Sequence, residues 1–224
     1  MGVKEMLGFS GMLFDLDGTL VNSLEKVEDS WKNWAVSKGL CPQEVLGYLH
    51  GKPAQVTFRH FLTGASDEEI LRECKALEDY EVADAAGMTA VDGAIDLLNT
   101  LQRLAIPWAI VTSGLSRVAT ARIAAAGLPR PNALITCENV TLGKPHPQAF
   151  LLGAQRLNCS PARCIAFEDS LSGLASAKAA ECTVIELVTA QSVKHTIACY
   201  LSLKNYLPLE ISTDGDGFRL NYRE

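Results

Sequence analysis

From residue 92 onward, short apolar runs alternate with stretches of helical periodicity. Residues 107–111, 133–136, 164–167 and 183–187 read as strands. Between them, Ile95, Leu98, Leu101 and Leu104 recur on one helical face behind Asp92, which could cap that helix. An alanine-rich helix runs from Arg117 to a stop at Gly127, and two further helical patterns cover residues 148–157 and 173–181. Strands that are apolar on successive residues, without alternation, are those buried on both faces. Helix–strand alternation of this kind predicts a parallel sheet with helices on either side. Residues 11–15 supply one more such strand near the amino terminus, so the fold class is α/β, a Rossmann-like doubly wound parallel sheet.

That first strand is separated from the others by a segment with a different period. Over residues 23–88 the pattern is helical throughout: Leu24, Val27, Trp31, Trp34 and Ala35 share a face, and Gly39 stops the run. Ser66 followed by Glu69 forms a capping box opening a helix with Ile70, Cys74 and Leu77 on one side. The two tryptophans fall on the apolar face and belong to the core of this segment. The expected organisation is an α/β domain built from residues 1–22 and 89–224, with an all-helical domain inserted at 23–88. Residues 211–222, around Asp214-Gly215-Asp216-Gly217, predict a β-hairpin.

Composition narrows the class. A chain of 224 residues that is 48% hydrophobic can bury a full core. A net charge of −6 and the lack of any Lys/Arg cluster disfavour nucleic acid as a partner. No apolar stretch reaches the roughly 20 residues of a membrane span, and residues 1–5 lack the apolar region of a signal peptide. The seven cysteines are scattered singly, which fits reduced thiols and a cytoplasmic location better than a disulfide or zinc framework. The four histidines, His146 among them, have no clear partners and fit surface or core roles better than ligation.

The polar residues that matter stand at strand and turn ends. Residues 11–15 lead into Asp15-Leu16-Asp17-Gly18, and carboxylates at the carboxyl end of a parallel strand sit where open α/β sheets bind ligands. In an extended strand Asp15 and Asp17 would point the same way. The strand at 107–111 ends in Thr112-Ser113-Gly114, whose hydroxyl and backbone N–H groups make an anion site, although a threonine there can also serve only as a helix cap. Gly143-Lys144-Pro145 places one ammonium in a stiff turn. The strand at 164–167 ends in Glu168-Asp169-Ser170. Together these supply a nucleophile, an acid, phosphate donors, a counter-cation and oxygen ligands for a metal.

This ordered set resembles that of the haloacid dehalogenase superfamily, most of whose members are magnesium-dependent phosphatases. The resemblance spans nearly the whole chain. It implies that Asp15 is the nucleophile forming an aspartyl-phosphate, ionised at neutral pH and so needing no base. It implies that Asp17 protonates the leaving oxygen and later deprotonates water, while Thr112, Ser113 and Lys144 hold the phosphate. Mg²⁺ would be held by Asp15, the Asp17 carbonyl and Asp169, with Glu168 bound directly or through water. The helical insertion resembles the small cap of the sugar-phosphatase and β-phosphoglucomutase-like branch, with Gly51 and Lys52 in its substrate-contact loop. The implied activity is hydrolysis of a small hexose, deoxyhexose or hexitol phosphate by a monomer or weak homodimer.

Other readings remain beside it. The mutase branch carries a His on the first cap helix, where this chain has Glu25, Lys26, Val27 and Glu28. True dehalogenases generally lack the second aspartate, and Asp17 is present. Phosphonate hydrolases use a cap lysine, for which Lys52 and Lys75 are available. A non-catalytic binder of phosphorylated metabolites would be expected to lose Asp15 or Asp17, and both are present.

Overall fold

The computed structural model describes residues 3–49, 52–189, 194–214 and 217–223. At its centre is strand β2 (Gly11–Phe14), flanked by β3 (Trp108–Val111) and β5 (Cys164–Glu168). Adding β4 (Ala133–Ile135), β6 (Thr183–Leu187) and β7 (Leu201–Leu203) gives one sheet in the order β4-β3-β2-β5-β6-β7. Every pairing in it is parallel.

The apolar character of β2 has a simple cause: alternate residues enter different cores. Met12 and Phe14 pack on one face with Trp108, Phe167 and the leucines Leu97, Leu98 and Leu101 of helix α5 (Ala94–Arg103). Leu13 faces the other way, among Val111, Ala166 and Phe150 of α7 (Gln148–Arg156) and Leu174 of α8 (Leu171–Ala179). Helix α6 (Ser116–Ala125) joins α5 on the first face through Ala119. Phe14 and Phe167 stack across neighbouring strands at 4.8 Å. A strand sandwiched in this way cannot carry polar residues except at its ends.

Two strands were not foreseen. A second sheet, antiparallel and in the order β1-β9-β8, joins β1 (Val3–Phe9) to the hairpin β8 (Leu209–Asp214) and β9 (Gly217–Arg223). The hairpin is the one read from the sequence. Strand β1 interrupts its pattern with Gly8 and shifts register between Glu5 and Leu7, so no clean period marks it. Strand β7 is a three-residue edge strand, too short to show one. Asp92 does not cap α5: Gly93 holds that position without a side-chain bond, and the Asp92 carbonyl accepts from the Tyr206 N–H at 2.9 Å.

Between β2 and α5 lie four helices, α1 (Leu24–Ser37), α2 (Pro42–Leu49), α3 (Ala54–Phe61) and α4 (Asp67–Ala83). They enclose their own core of Trp31, Ala35, Val45, Leu49, Phe58, Ile70 and Leu77. Trp31 and Trp34 lie 4.9 and 4.8 Å from Phe58. Trp34 is half-buried and donates through Nε1 to Glu73 at 2.8 Å. The Ser66–Glu69 capping box opens α4 as expected. Two crossings connect this unit to the sheet, and they run side by side: Asn22 N–H donates to Thr89 O at 2.9 Å, and Val91 N–H donates to Leu20 O at 2.9 Å.

Candidate active site

The carboxyl ends of β2, β3 and β5 meet beneath the helical unit. The Asp15 N–H continues the ladder past Phe14, donating to Phe167 O at 2.9 Å. The chain then turns at Gly18, whose φ is +81°. A Cβ there would stand 2.2 Å from Asp169 Oδ2, so glycine is required by conformation and by space. Thr19 Oγ1 donates to the other oxygen of Asp169 at 3.1 Å.

Lys144 enters this floor from the turn before α7. Its Nζ donates to Asp15 Oδ1 at 2.6 Å, Glu168 Oε1 at 2.6 Å and Val111 O at 2.9 Å. Glu168 is fully buried. Its Oε2 accepts from the N–H groups of Asp169 and Ser170 at 2.9 and 2.8 Å and from Ser170 Oγ at 3.0 Å. Such close wrapping needs Gly173 in α8, where a Cβ would fall 1.6 Å from Glu168 Oε1. Glu168 thus fixes both the ammonium and the loop that follows β5.

Oxygens of Asp15, Glu168 and Asp169 lie within 4.8 Å of one another. Of these three buried carboxylates, Asp15 and Glu168 share the Lys144 ammonium, and Asp169 lies beside them. Burial, with Glu168 and Asp17 nearby, pushes Asp15 from 3.8 up to about 8 despite Lys144. Burial and the neighbouring Glu168 and Asp15 raise Asp169 as well. Lys144, although buried, is raised by Asp15 and Glu168. Lys144 opposes the upward shift of Asp15, and a cation held by the same carboxylates would oppose it further. A group of oxygen donors with surplus negative charge fits a hard divalent cation of the Mg²⁺ type.

Above the floor lies a cavity of about 870 Å³. Asp15, Asp17, Thr112, Ser113, Lys144 and Asp169 line it from the sheet side, and Trp31, Leu49, Lys52 and Glu81 from the helices. Thr112 is buried, and its Oγ1 accepts from the Gly114 N–H at 3.0 Å; Ser113 is half-buried beside it. A family model for haloacid dehalogenase-like hydrolases matches residues 9–181, which hold all of these floor residues. The chain belongs to that family.

Among its relatives, Hexitol phosphatase A of Escherichia coli K12 is 51% identical over 175 residues, covering 78% of this chain and 81% of that protein. Validoxylamine A 7'-phosphate phosphatase of Streptomyces hygroscopicus subsp. limoneus is 31% identical, covering 86% and 92%. Among solved structures, a CbbY mutant from Rhodobacter sphaeroides in complex with xylulose-(1,5)bisphosphate superposes with a TM-score of 0.79. At 22% identity over 88% of this chain and 95% of that one, it shows a shared fold.

In this haloacid dehalogenase-like hydrolase, Asp15 and Asp17 both line the cavity but take different partners. Strand β2 has ended, and the Gly18 turn has begun to redirect the chain. Asp15 pairs with Lys144, whereas Asp17 Oδ1 accepts from Ser23 Oγ at 2.6 Å and from Arg122 Nη1 at 2.7 Å. Arg122, Ser23 and Thr19 were not singled out from the sequence. Arg122 shares a helical face with buried Val118 and Ala119, and a lone Arg on an apolar face was the available signal. Gly51 lies outside the described residues. Lys52 stands exposed at the cavity rim, 3.6 Å over the Tyr48 ring, with Nζ donating to Tyr48 O at 2.5 Å. Lys75 does not itself line the cavity; it pairs at 3.2 Å each with Asp79 and with Glu78, which does. His195 does reach the cavity, its Nε2 3.0 Å from the Asp169 carbonyl oxygen. No helix among the described residues is long and apolar enough to cross a membrane.

Proposed function

We propose that this protein is a magnesium-dependent phosphatase that hydrolyses small sugar phosphates of the hexose, deoxyhexose or hexitol class. The observation that carries the reading is the floor itself: Lys144 bound to Asp15 and Glu168, beside Asp169, at the base of a cavity large enough for a phosphorylated sugar. The names of its phosphatase relatives agree with it. Residues 1–22 and 89–224 form the catalytic core, and residues 23–88 a cap that selects substrate and excludes water. The partner is a small cytoplasmic metabolite, with neither nucleic acid nor membrane involved, and the chain works as a monomer or weak homodimer.

In this reading Asp15 attacks the phosphorus and forms an acyl-phosphate, while the sugar oxygen leaves with a proton from Asp17. Asp17 then takes a proton from water, which attacks the same phosphorus and frees phosphate and Asp15. Lys144 Nζ, the Thr112 hydroxyl and the Ser113 N–H hold the phosphoryl oxygens throughout. Asp15, the Asp17 carbonyl and Asp169 would hold Mg²⁺, with Glu168 behind them. Such an ion would supply positive charge that cancels repulsion between the Asp15 carboxylate and the phosphate dianion and favours the ionised form of Asp15. Lys52 contributes to the sugar side of the pocket.

Phosphate release from a panel of sugar phosphates, with and without Mg²⁺ and alongside Asp15→Asn, tests this. Magnesium-dependent release that disappears in the variant is expected. Absence of release from every ester, by folded wild-type protein that binds Mg²⁺, would overturn it.

A further inference from the structure

Arg122 is 4% exposed on an otherwise alanine-rich helix, and its Nε has no hydrogen-bond partner. A charged group so placed is retained only where its partners compensate for lost hydration. It has two partners, and they belong to different parts of the molecule. Nη1 lies 2.7 Å from Asp17 Oδ1 on the β2 turn; Nη2 lies 3.2 Å from Glu81 Oε1 on cap helix α4. The planar fork engages each carboxylate through a separate nitrogen, a spread that the single nitrogen of a lysine does not reproduce. Ser23, immediately before the first cap helix, donates to the same Oδ1 at 2.6 Å. Both donors to Asp17 therefore converge on one oxygen and leave Oδ2 for proton transfer.

We infer that Arg122 is a positioning residue for Asp17, and that Glu81 completes the arrangement from the cap. The guanidinium fixes the rotamer of the proton donor through Oδ1, and it is itself held in place only while α4 is docked. Cap docking and orientation of the acid become one event. Because the single positive charge is shared between two carboxylates, Asp17 is oriented without being fully neutralised. A second ion pair from α6, Arg117 to Glu78 at 3.6 Å, joins the same two helices on the exposed side. The inference rests on the role proposed above for Asp17.

A structural role and a positioning role differ in their leaving-group dependence. An alkoxide leaves with a proton, whereas p-nitrophenolate leaves without one. The ratio kcat/KM covers events only up to phosphorylation of Asp15 for either ester, so it isolates the acid step. Arg122→Lys should lower kcat/KM for the best sugar phosphate of the panel by about 10²-fold, the scale of general acid catalysis, with the aryl ester nearly unchanged. Glu81→Gln keeps the side-chain volume and should shift the same ratio in the same direction by less, which covers the case in which Arg122→Lys does not fold. Parallel losses on both esters, or a rise in KM for the sugar alone, would overturn the inference in favour of a packing or substrate-contact role. Wild-type protein inactive on both esters would sink the phosphatase reading instead. An active wild type with an unchanged ratio in both variants would sink only this inference.

Discussion

The cavity has a floor and a roof built on different physical terms. The floor is polar and buried: Asp15 and Glu168 share Lys144, and Asp169 beside them accepts from Thr19. The roof is an apolar cluster around Trp31 and Phe58, and many of its polar side chains face solvent or one another, although Glu81 reaches Arg122. Glu73, for example, is lowered by Lys38 and Trp34 against the opposing effect of burial. A floor with unbalanced charge is incomplete without ligands, whereas a roof already balanced discriminates by shape. In the proposed reading, chemistry belongs to the floor and selection to the roof.

Removing Lys144, the cation that Asp15 and Glu168 share, should show the contrast most strongly. Lys144→Met is expected to lower kcat by about 10²–10³-fold, the usual loss for one aligned electrostatic donor. Steady-state phosphate release measures it, and a change in KM alone would mean that the lysine only helps binding. Trp31→Ala, at the centre of the roof, should instead destabilise the protein by about 3–5 kcal/mol, read from urea unfolding. Its kcat for a small aryl phosphate, measured where the variant is folded, should fall far less than in Lys144→Met.

A milder perturbation is pH. The folded protein raises Asp15 from 3.8 to about 8, chiefly through burial, so the folded state binds that proton more tightly than the unfolded chain. The resulting stabilisation of metal-free protein is complete below the unfolded value and disappears as pH rises through about 8. Mg²⁺ competes with the same proton. Its shift of the melting temperature should therefore be larger at about pH 9 than at about pH 6, and equal shifts would place the ion elsewhere. The smallest effect is expected at the rim: Lys52→Ala should change KM by a few-fold and leave kcat alone, because its ammonium rests on Tyr48 in exposed surroundings.

The floor was the most legible part of the sequence, and the reason is burial. Strands such as β2 and β5 bury both faces, so Asp15 and Glu168 stand out as the first residues free to be charged. The helical unit was legible through period and caps, as at Ser66 and Glu69. Legibility failed where long-range partners decide the outcome. Strand β1 exists because β9, from the far end of the chain, pairs with it, Val3 opposite Arg223 and Phe9 opposite Phe218, and its own pattern says little. Asp17 was assigned a direction from strand alternation, but the turn at Gly18 and the distant Arg122 set its partners. Asp92 looked like a cap, yet Gly93 takes that position against the segment following β7.

The two crossings between sheet and helical unit are not independent tethers. Residues 20–22 and 89–91 are laced together by backbone bonds, by the bridge between Val21 and Ala90, and by Asn22 Nδ2 donating to Thr89 Oγ1 at 3.2 Å. Two separate strings would let the unit twist and slide over the cavity mouth. A laced pair resists both and leaves bending as the softest coordinate, like a door on a single pin. Each opening then returns the roof to the same place, so a sugar meets one shape of pocket rather than a distribution of them.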